Sequence, residues 1–272
     1  MAGPEIVKLK RILREKALPP GANVTLAQRR GGMEKIAFKA ADHIGVENVT
    51  VAGRAAEWVK APGSQTGRAI LYLHGGGYVM GSPNTHRSLA GEISRAAQAA
   101  VLLVDYRLAP EHPFPAAVED GVASYRWLLG QGFAPRSLAV AGDSAGGGLV
   151  VATLVSARDQ GLPMPAAAVP ISPWSDMTCS NDSYQTRAEA DPLVGSGGIG
   201  DMARLYLHGT DPKDPLASPN FASLRSLPPL LIHVGRDEVL LDVWHAFHPM
   251  LPEGKQAITR VGEFLQEKWA AA

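Results

Sequence analysis

The sequence predicts an α/β fold, a doubly wound and mostly parallel sheet with helices on both faces and a helical cap. Three observations carry this. From Val49 onward, short apolar runs recur, each bounded by glycine, proline or a charge. Several runs are apolar at successive positions, as strands covered on both faces must be. Helix-length segments separate them, and a strand–helix alternation reads as a parallel sheet.

The runs are Val49–Val51, Ala56–Val59, Ala69–Leu73, Val101–Asp105, Leu138–Ala141, Ala167–Ile171 and Leu230–Val234. Helices are expected over Arg87–Ala99, Ala116–Leu129 and Gly147–Arg158, and an amphipathic helix over Pro252–Trp269 should pack on the sheet. Near the N-terminus, Ile6, Leu9, Ile12 and Leu13 recur at helical spacing, and Pro19-Pro20-Gly21 stops that helix. The stretch Pro173–Pro219 breaks the alternation, is rich in polar residues and holds one helical segment, Gly198–His208. The expected organisation is therefore N-terminal cap helices over 1–45, a core over 46–174 and 216–272, and a cap segment over 175–215.

Composition removes several function classes. The chain has 272 residues, enough for one large α/β unit. Lysine plus arginine (26) equals aspartate plus glutamate (26), which lacks the basic excess of a nucleic-acid binder. The single Cys179 excludes a disulfide framework and a thiolate metal cluster. No apolar run reaches the roughly 18 residues of a membrane span. Met1–Lys16 carries charges throughout and lacks the apolar core of a signal peptide, so a cytoplasmic protein is expected.

Two motifs carry chemistry. Gly142-Asp143-Ser144-Ala145-Gly146 fits G-x-S-x-G, with a strand running into it and a helix running out. That is the context a nucleophile elbow requires, because only glycine fits beside so tight a turn. The alternative is a glycine-rich phosphate turn or plain tight packing. His74-Gly75-Gly76-Gly77 follows the strand Ala69–Leu73. Backbone N–H groups in such a run can hold a developing oxyanion, although a flexible turn would look the same.

With Tyr78 and Asp105-Tyr106-Arg107-Leu108-Ala109-Pro110-Glu111 added, these motifs resemble the hormone-sensitive-lipase-like family of bacterial carboxylesterases. The similarity runs from about Ile70 to Asp242 and resumes at Val243. The resemblance implies an α/β-hydrolase fold with a helical cap, acting on short acyl esters without a cofactor or metal. Ser144 matches the nucleophile, and the oxyanion donors fall on the backbone N–H groups of Gly76, Gly77 and Ala145. His74 would brace the oxyanion loop, and Tyr106–Glu111 would shape the floor beside it. The implied partner is a small ester, with neither nucleic acid nor membrane involved, and a homodimer is compatible with this family.

The rest of the site is less regular. The family's acid-x-Leu-x-Asp pattern fits Glu238-Val239-Leu240-Leu241-Asp242 and places the acid on Glu238, with Asp237 one residue out of register. A carboxylate there would orient the catalytic imidazole; an acidic cluster at a helix start would read the same way. A crossover helix and strand, roughly 25–30 residues, normally separate this acid from the histidine. Here Asp242 is followed at once by Val243-Trp244-His245-Ala246-Phe247-His248. Val243-Trp244 look like the residues that follow the family histidine, which places that histidine in an absent stretch. Of the residues present, His245 is the best candidate for the base, and a partly buried structural histidine is its alternative. His245 and His248 at i, i+3 have no third metal ligand spaced to help them. Trp174, Tyr184 and Met202 are candidates for an acyl pocket or for simple packing. Two functions remain open: a serine carboxylesterase of short- to medium-chain esters, or an esterase-like ligand-binding or inactive protein without the triad histidine.

Overall fold

The computed structural model describes residues 4–16, 24–182, 186, 196–234 and 244–272. Strands β1 (Gly45–Val51) and β2 (Arg54–Lys60) form an antiparallel hairpin in register Val51↔Arg54. Its two-residue turn, Ala52-Gly53, has φ of 49° and 81°, matching the twist that tight hairpins need. Strands β3 (Gln65–Leu73), β4 (Ala99–Val104), β5 (Leu138–Asp143) and β6 (Ala167–Ile171) are parallel, and the sheet order is β1-β2-β4-β3-β5-β6. Helices α3 (Pro83–Ala97), α4 (Ala116–Gly130) and α5 (Ala145–Asp159) fill the crossovers.

The central strands are apolar over Ala69–Leu73, Ala99–Val104, Leu138–Ala141 and Ala167–Ile171 because the sheet is covered twice. On one face Leu71, Leu73, Val104 and Val140 pack with Val118 and Tyr125 of α4 and Leu149 and Val150 of α5. On the other, Ile70, Tyr72, Leu103 and Ala141 meet Leu89 and Ile93 of α3. The C-terminal helix α7 (Pro252–Ala271) adds Ile258, Val261 and Leu265 to this second face. Full burial of each such side chain contributes about 1.5–3 kcal/mol. Gly262 of α7 lets that helix approach Ala96 of α3, and the Gln266 amide donates to the Ala96 carbonyl at 2.9 Å.

Three elements differ from the sequence-based expectation. Helix α3 begins at Pro83, four residues earlier than expected, because Ser82 caps it reciprocally with Thr85 and Pro83 sits in its first turn. A second N-terminal helix, α2 (Leu26–Ile36), follows α1 (Pro4–Lys16); it buries none of its residues, so no apolar stripe marks it. The expected strand at Leu230–Val234 makes only isolated parallel bridges to β6, Ala168↔Leu230 and Ile171↔His233. Helix α6 (Ser196–Leu207) lies in the expected cap segment, and its Ile199, Ala203 and Tyr206 join the α4/α5 core cluster.

Candidate active site

The chain turns from β5 into α5 at Ser144, whose φ of 54° and ψ of −122° form a strained conformation for a residue with a side chain. The strain is held from both sides. The Ser144 N–H donates to the Ile171 carbonyl at 2.9 Å, and the Ser144 carbonyl accepts from Trp174 at 2.9 Å. Gly146 permits the turn, since a Cβ there would run into the Leu73 and His74 carbonyls. Among the described residues the Ser144 hydroxyl, itself partly exposed, has no hydrogen-bond partner.

The glycine loop after β3 lies beside this turn. Gly76 and Gly77 adopt φ of 123° and 64°, and the Gly76 carbonyl is tied down by the N–H groups of Val79 (3.2 Å) and Met80 (3.0 Å). Among the described residues the N–H groups of Gly76 and Gly77 have no acceptor. Ala145 opens α5, so its N–H is one of the donors that a helix start leaves unpaired. The Met202 sulfur of α6 packs directly against Gly77 and roofs the loop.

The loop is braced from behind. His74 is fully buried and stacks on Tyr106 at 4.3 Å, and the Tyr106 hydroxyl donates to the His74 carbonyl at 2.7 Å. The His74 Nδ1 lies 2.8 Å from the Gly75 carbonyl. Burial, with the neighbouring His86, lowers the His74 pKa to about 3, so this ring stays neutral near neutral pH. Arg30 of α2 reaches over to the same region. It donates to the Val79 carbonyl (2.7 Å) and the Ala109 carbonyl (2.9 Å), and it pairs with Glu111. The Arg30 hydrogen bond holds the Glu111 pKa down at about 2.

The other half of the expected site is arranged differently. Asp237, Glu238 and the Asp242–Val243 junction lie outside the described residues. His245 sits in a short 3-10 helix (Trp244–Phe247) and is 5% exposed. Its Nε2 is 3.0 Å from Nδ1 of His233, the two rings stack at 5.2 Å, and its Nδ1 is buried without a partner among the described residues. Burial, then His233, lowers its pKa to about 4, against an opposing pull from Asp143. No hydrogen bond joins it to Ser144 among the described residues. His248 instead faces the Ser88 hydroxyl at 3.2 Å, so the two histidines diverge. Trp174 is a packing residue, 1% exposed with its Nε1–H donating to the Asp176 carbonyl. Tyr184 lies outside the described residues.

One set of residues escaped the sequence reading. Asp143, next to Ser144, is buried with Tyr72 and His86 around its carboxylate. A lone aspartate, tyrosine and histidine from three distant segments leave no local signal.

Comparison with known proteins agrees with this geometry. Residues 70–263 match a family described as having the alpha/beta hydrolase fold. The chain is 50% identical over 244 residues to an acetyl-hydrolase from Streptomyces hygroscopicus, covering 80% of this chain and 81% of that protein. It is 33% identical over 246 residues to an esterase from Acinetobacter venetianus, covering 80% of this chain and 81% of that one. A crystal structure of the esterase EstE5 soaked with p-nitrophenyl butyrate superimposes with a TM-score of 0.97 at 71% identity, over 99% of this chain and 100% of that chain. An esterase of the bacterial hormone-sensitive lipase family superimposes with a TM-score of 0.95 at 45% identity, over 99% of each chain. Among the described residues no helix is long and apolar enough to cross a membrane. With its elbow, its glycine loop and these likenesses, the chain belongs to the bacterial hormone-sensitive-lipase family, carboxylic ester hydrolases of the α/β-hydrolase fold.

Proposed function

We propose that the chain hydrolyses short- to medium-chain acyl esters through a serine acyl-enzyme. The observation that carries this reading is a Ser144 hydroxyl without a partner among the described residues, on an elbow beside a loop whose Gly76 and Gly77 N–H groups, like that of Ala145 at the start of α5, have no acceptor among them. The Ser144 Oγ attacks the ester carbonyl, and a histidine accepts its proton. The carbonyl oxygen becomes an oxyanion held by the three N–H groups, and losing one such donor raises the barrier by about 2.7–4 kcal/mol. The intermediate collapses, the alcohol leaves with the proton, and water repeats the sequence to release the acid and free serine. Glu238 is the acid that orients the histidine, and His245 is the best histidine present. The Met202 roof over Gly77 limits the space beside the loop and supports a short acyl preference.

A second reading has one observation in its favour. His245 is held on His233, and a base with a pKa of about 4 takes a serine proton poorly at neutral pH. A chain with this base is an esterase-like binder or a weak enzyme. Labelling decides between the two. A sulfonyl fluoride should modify Ser144, read by peptide mass spectrometry, alongside turnover of p-nitrophenyl acetate. Modification of another serine with Ser144 untouched removes the nucleophile assignment. An unlabelled protein that binds short esters without turnover establishes the binder.

A further inference from the structure

The proposed chemistry leaves the buried Asp143 carboxylate and the His86 ring unused, yet they join the elbow to the glycine loop. Asp143 ends β5 beside Ser144 and is 3% exposed. Its Oδ1 accepts from the Tyr72 hydroxyl at 2.8 Å and from the Gly75 N–H at 3.2 Å. Its Oδ2 lies 3.4 Å from Nε2 of His86, which is 5% exposed in the first turns of α3. Gly75 must be glycine for this contact, because a Cβ there would collide with the Asp143 carboxylate.

The state of the His86 ring follows from its neighbours. The Thr85 hydroxyl donates its own proton to the Ser82 carbonyl at 2.8 Å, so at 2.7 Å it accepts from His86 Nδ1–H. Nε2 is then either bare, accepting the Gly75 N–H at 3.3 Å, or protonated and paired with Asp143. In the first state ring and carboxylate both accept from the Gly75 N–H; in the second the ring holds the carboxylate that accepts from it. Other groups facing the ring are His74, tilted against it at 5.4 Å between ring centres, and Glu34 of α2, which accepts from the Ser82 hydroxyl at 2.6 Å. Burial lowers the His86 pKa, but Asp143, with the Ser82 carbonyl and Glu34, outweighs it and the net shift is upward. Burial likewise raises the Asp143 pKa, and His86, with Tyr72 and His74, outweighs it downward.

We propose that His86 is a positioning residue of the oxyanion site: with Asp143 it clamps the Gly75 peptide to the elbow and so fixes the Gly76 and Gly77 N–H groups relative to Ser144. This rests on the reading of Ser144 and those donors given above. His86 touches no substrate, and its effect falls on the tetrahedral stage, when the oxyanion exists, and little on ground-state binding.

The test compares His86→Leu, His86→Gln and Thr85→Val in the full chain, with Ser144→Ala as the control. Three readings are taken: kcat and KM on p-nitrophenyl acetate, affinity for phenylboronate by calorimetry, and Tm. Phenylboronate becomes a tetrahedral anion on the serine and reports the oxyanion site without turnover. We expect His86→Leu to lower kcat about 10- to 100-fold, with KM within about twofold, and to weaken phenylboronate by a similar factor. His86→Gln, whose amide can engage Gly75 or Asp143, should recover most of both. If His86→Leu does not fold, Thr85→Val decides by the same pattern at smaller amplitude. A folded His86→Leu with unchanged kcat and phenylboronate affinity overturns the proposal, as does a loss that His86→Gln fails to recover. In those cases a silent Ser144→Ala leaves the nucleophile reading standing. A fully active Ser144→Ala removes that reading and this proposal together.

Discussion

The two halves of the site are built by different means. The elbow and glycine loop grow from adjacent parallel strands, β5 and β3, paired from Ala69↔Leu138 to Leu73↔Gly142. The functional atoms proposed there are a serine hydroxyl and backbone N–H groups, placed by the sheet itself. In the other half Leu230–Val234 makes two isolated bridges to β6, and His245 lies on His233. Backbone groups at a strand end need only the sheet to be correct. An acid and a base brought together across a crossover need that whole crossover at the right length. His245 lies seven positions after Glu238, a reach of at most about 25 Å when extended.

The largest expected effect would break this contrast. Restoring a helix–strand insert of roughly 25–30 residues between Asp242 and Val243, the length a parallel crossover takes, gives the return path a crossover like that of the other half. Ester hydrolysis by the 272-residue chain should be weak, and the insert should raise kcat on p-nitrophenyl acetate by on the order of 10⁴, the scale of losing one triad member. In the restored chain Glu238→Gln should remove most of that gain while Asp237→Asn keeps it. A typical esterase rate from the 272-residue chain, abolished by His245→Ala, would instead establish His245 as the base and erase the contrast.

What was legible in the sequence follows the same division. Gly142–Gly146 and His74–Gly77 read correctly as turns at strand ends because their geometry is local and glycine marks it. The two-sided burial of β3 to β6 was visible as unbroken apolar runs. Helix α2 was not, because side-chain bonds from Arg30 and Glu34 hold it, where an apolar stripe would have shown. The contact of His86 with Asp143 joins residues 57 positions apart and has no pattern to betray it. Leu230–Val234 has a strand's composition, yet Ile232 and Val234 are 50% and 68% exposed, since composition does not report whether a neighbour covers the strand.

A middle-sized effect sharpens the comparison through acid. His74 belongs to the sheet-built half and His245 to the return, and both are buried neutral, with pKa values of about 3 and about 4. In the unfolded chain each titrates near about 6.5. Below that pH the unfolded state binds more protons, so stability falls as pH drops toward 4, by up to about 1.4 kcal/mol per pH unit for each ring. The lowered pKa values of His233 and His248 act in the same direction. His86, raised in the fold, has the opposite sign: its contribution is complete below about 6.5 and fades as pH rises through its folded pKa. Urea unfolding at several pH values should therefore show a maximum near neutrality. His245→Gln should remove one ring's share of the acid slope and His74→Gln another. Stability that is flat between pH 6.5 and 4.5 would show that neither ring is held neutral.

The smallest expected effect concerns the roof that α6 places on the sheet-built half. Met202 is partly buried, and its sulfur lies against Gly77. On the proposed reading, an acyl chain entering beside the glycine loop would meet that thioether within its first few carbons. Met202→Ala removes the obstruction without touching Ser144 or the N–H groups, so acetate turnover should change little. Each additional methylene that gains a place in an apolar pocket brings roughly 1–3 kcal/mol of discrimination. Part of that gain is offset because the opened space admits water and Met202 loses its own packing, so a modest change is expected. The ratio of kcat/KM for p-nitrophenyl hexanoate over acetate should rise about 3- to 10-fold. The same ratio should fall with Met202→Phe, which fills the space. A ratio unmoved by both variants would show that acyl length is limited elsewhere. A preference for long chains already present in the unaltered protein, with activation at a lipid interface, would replace the short-ester reading with that of a lipase.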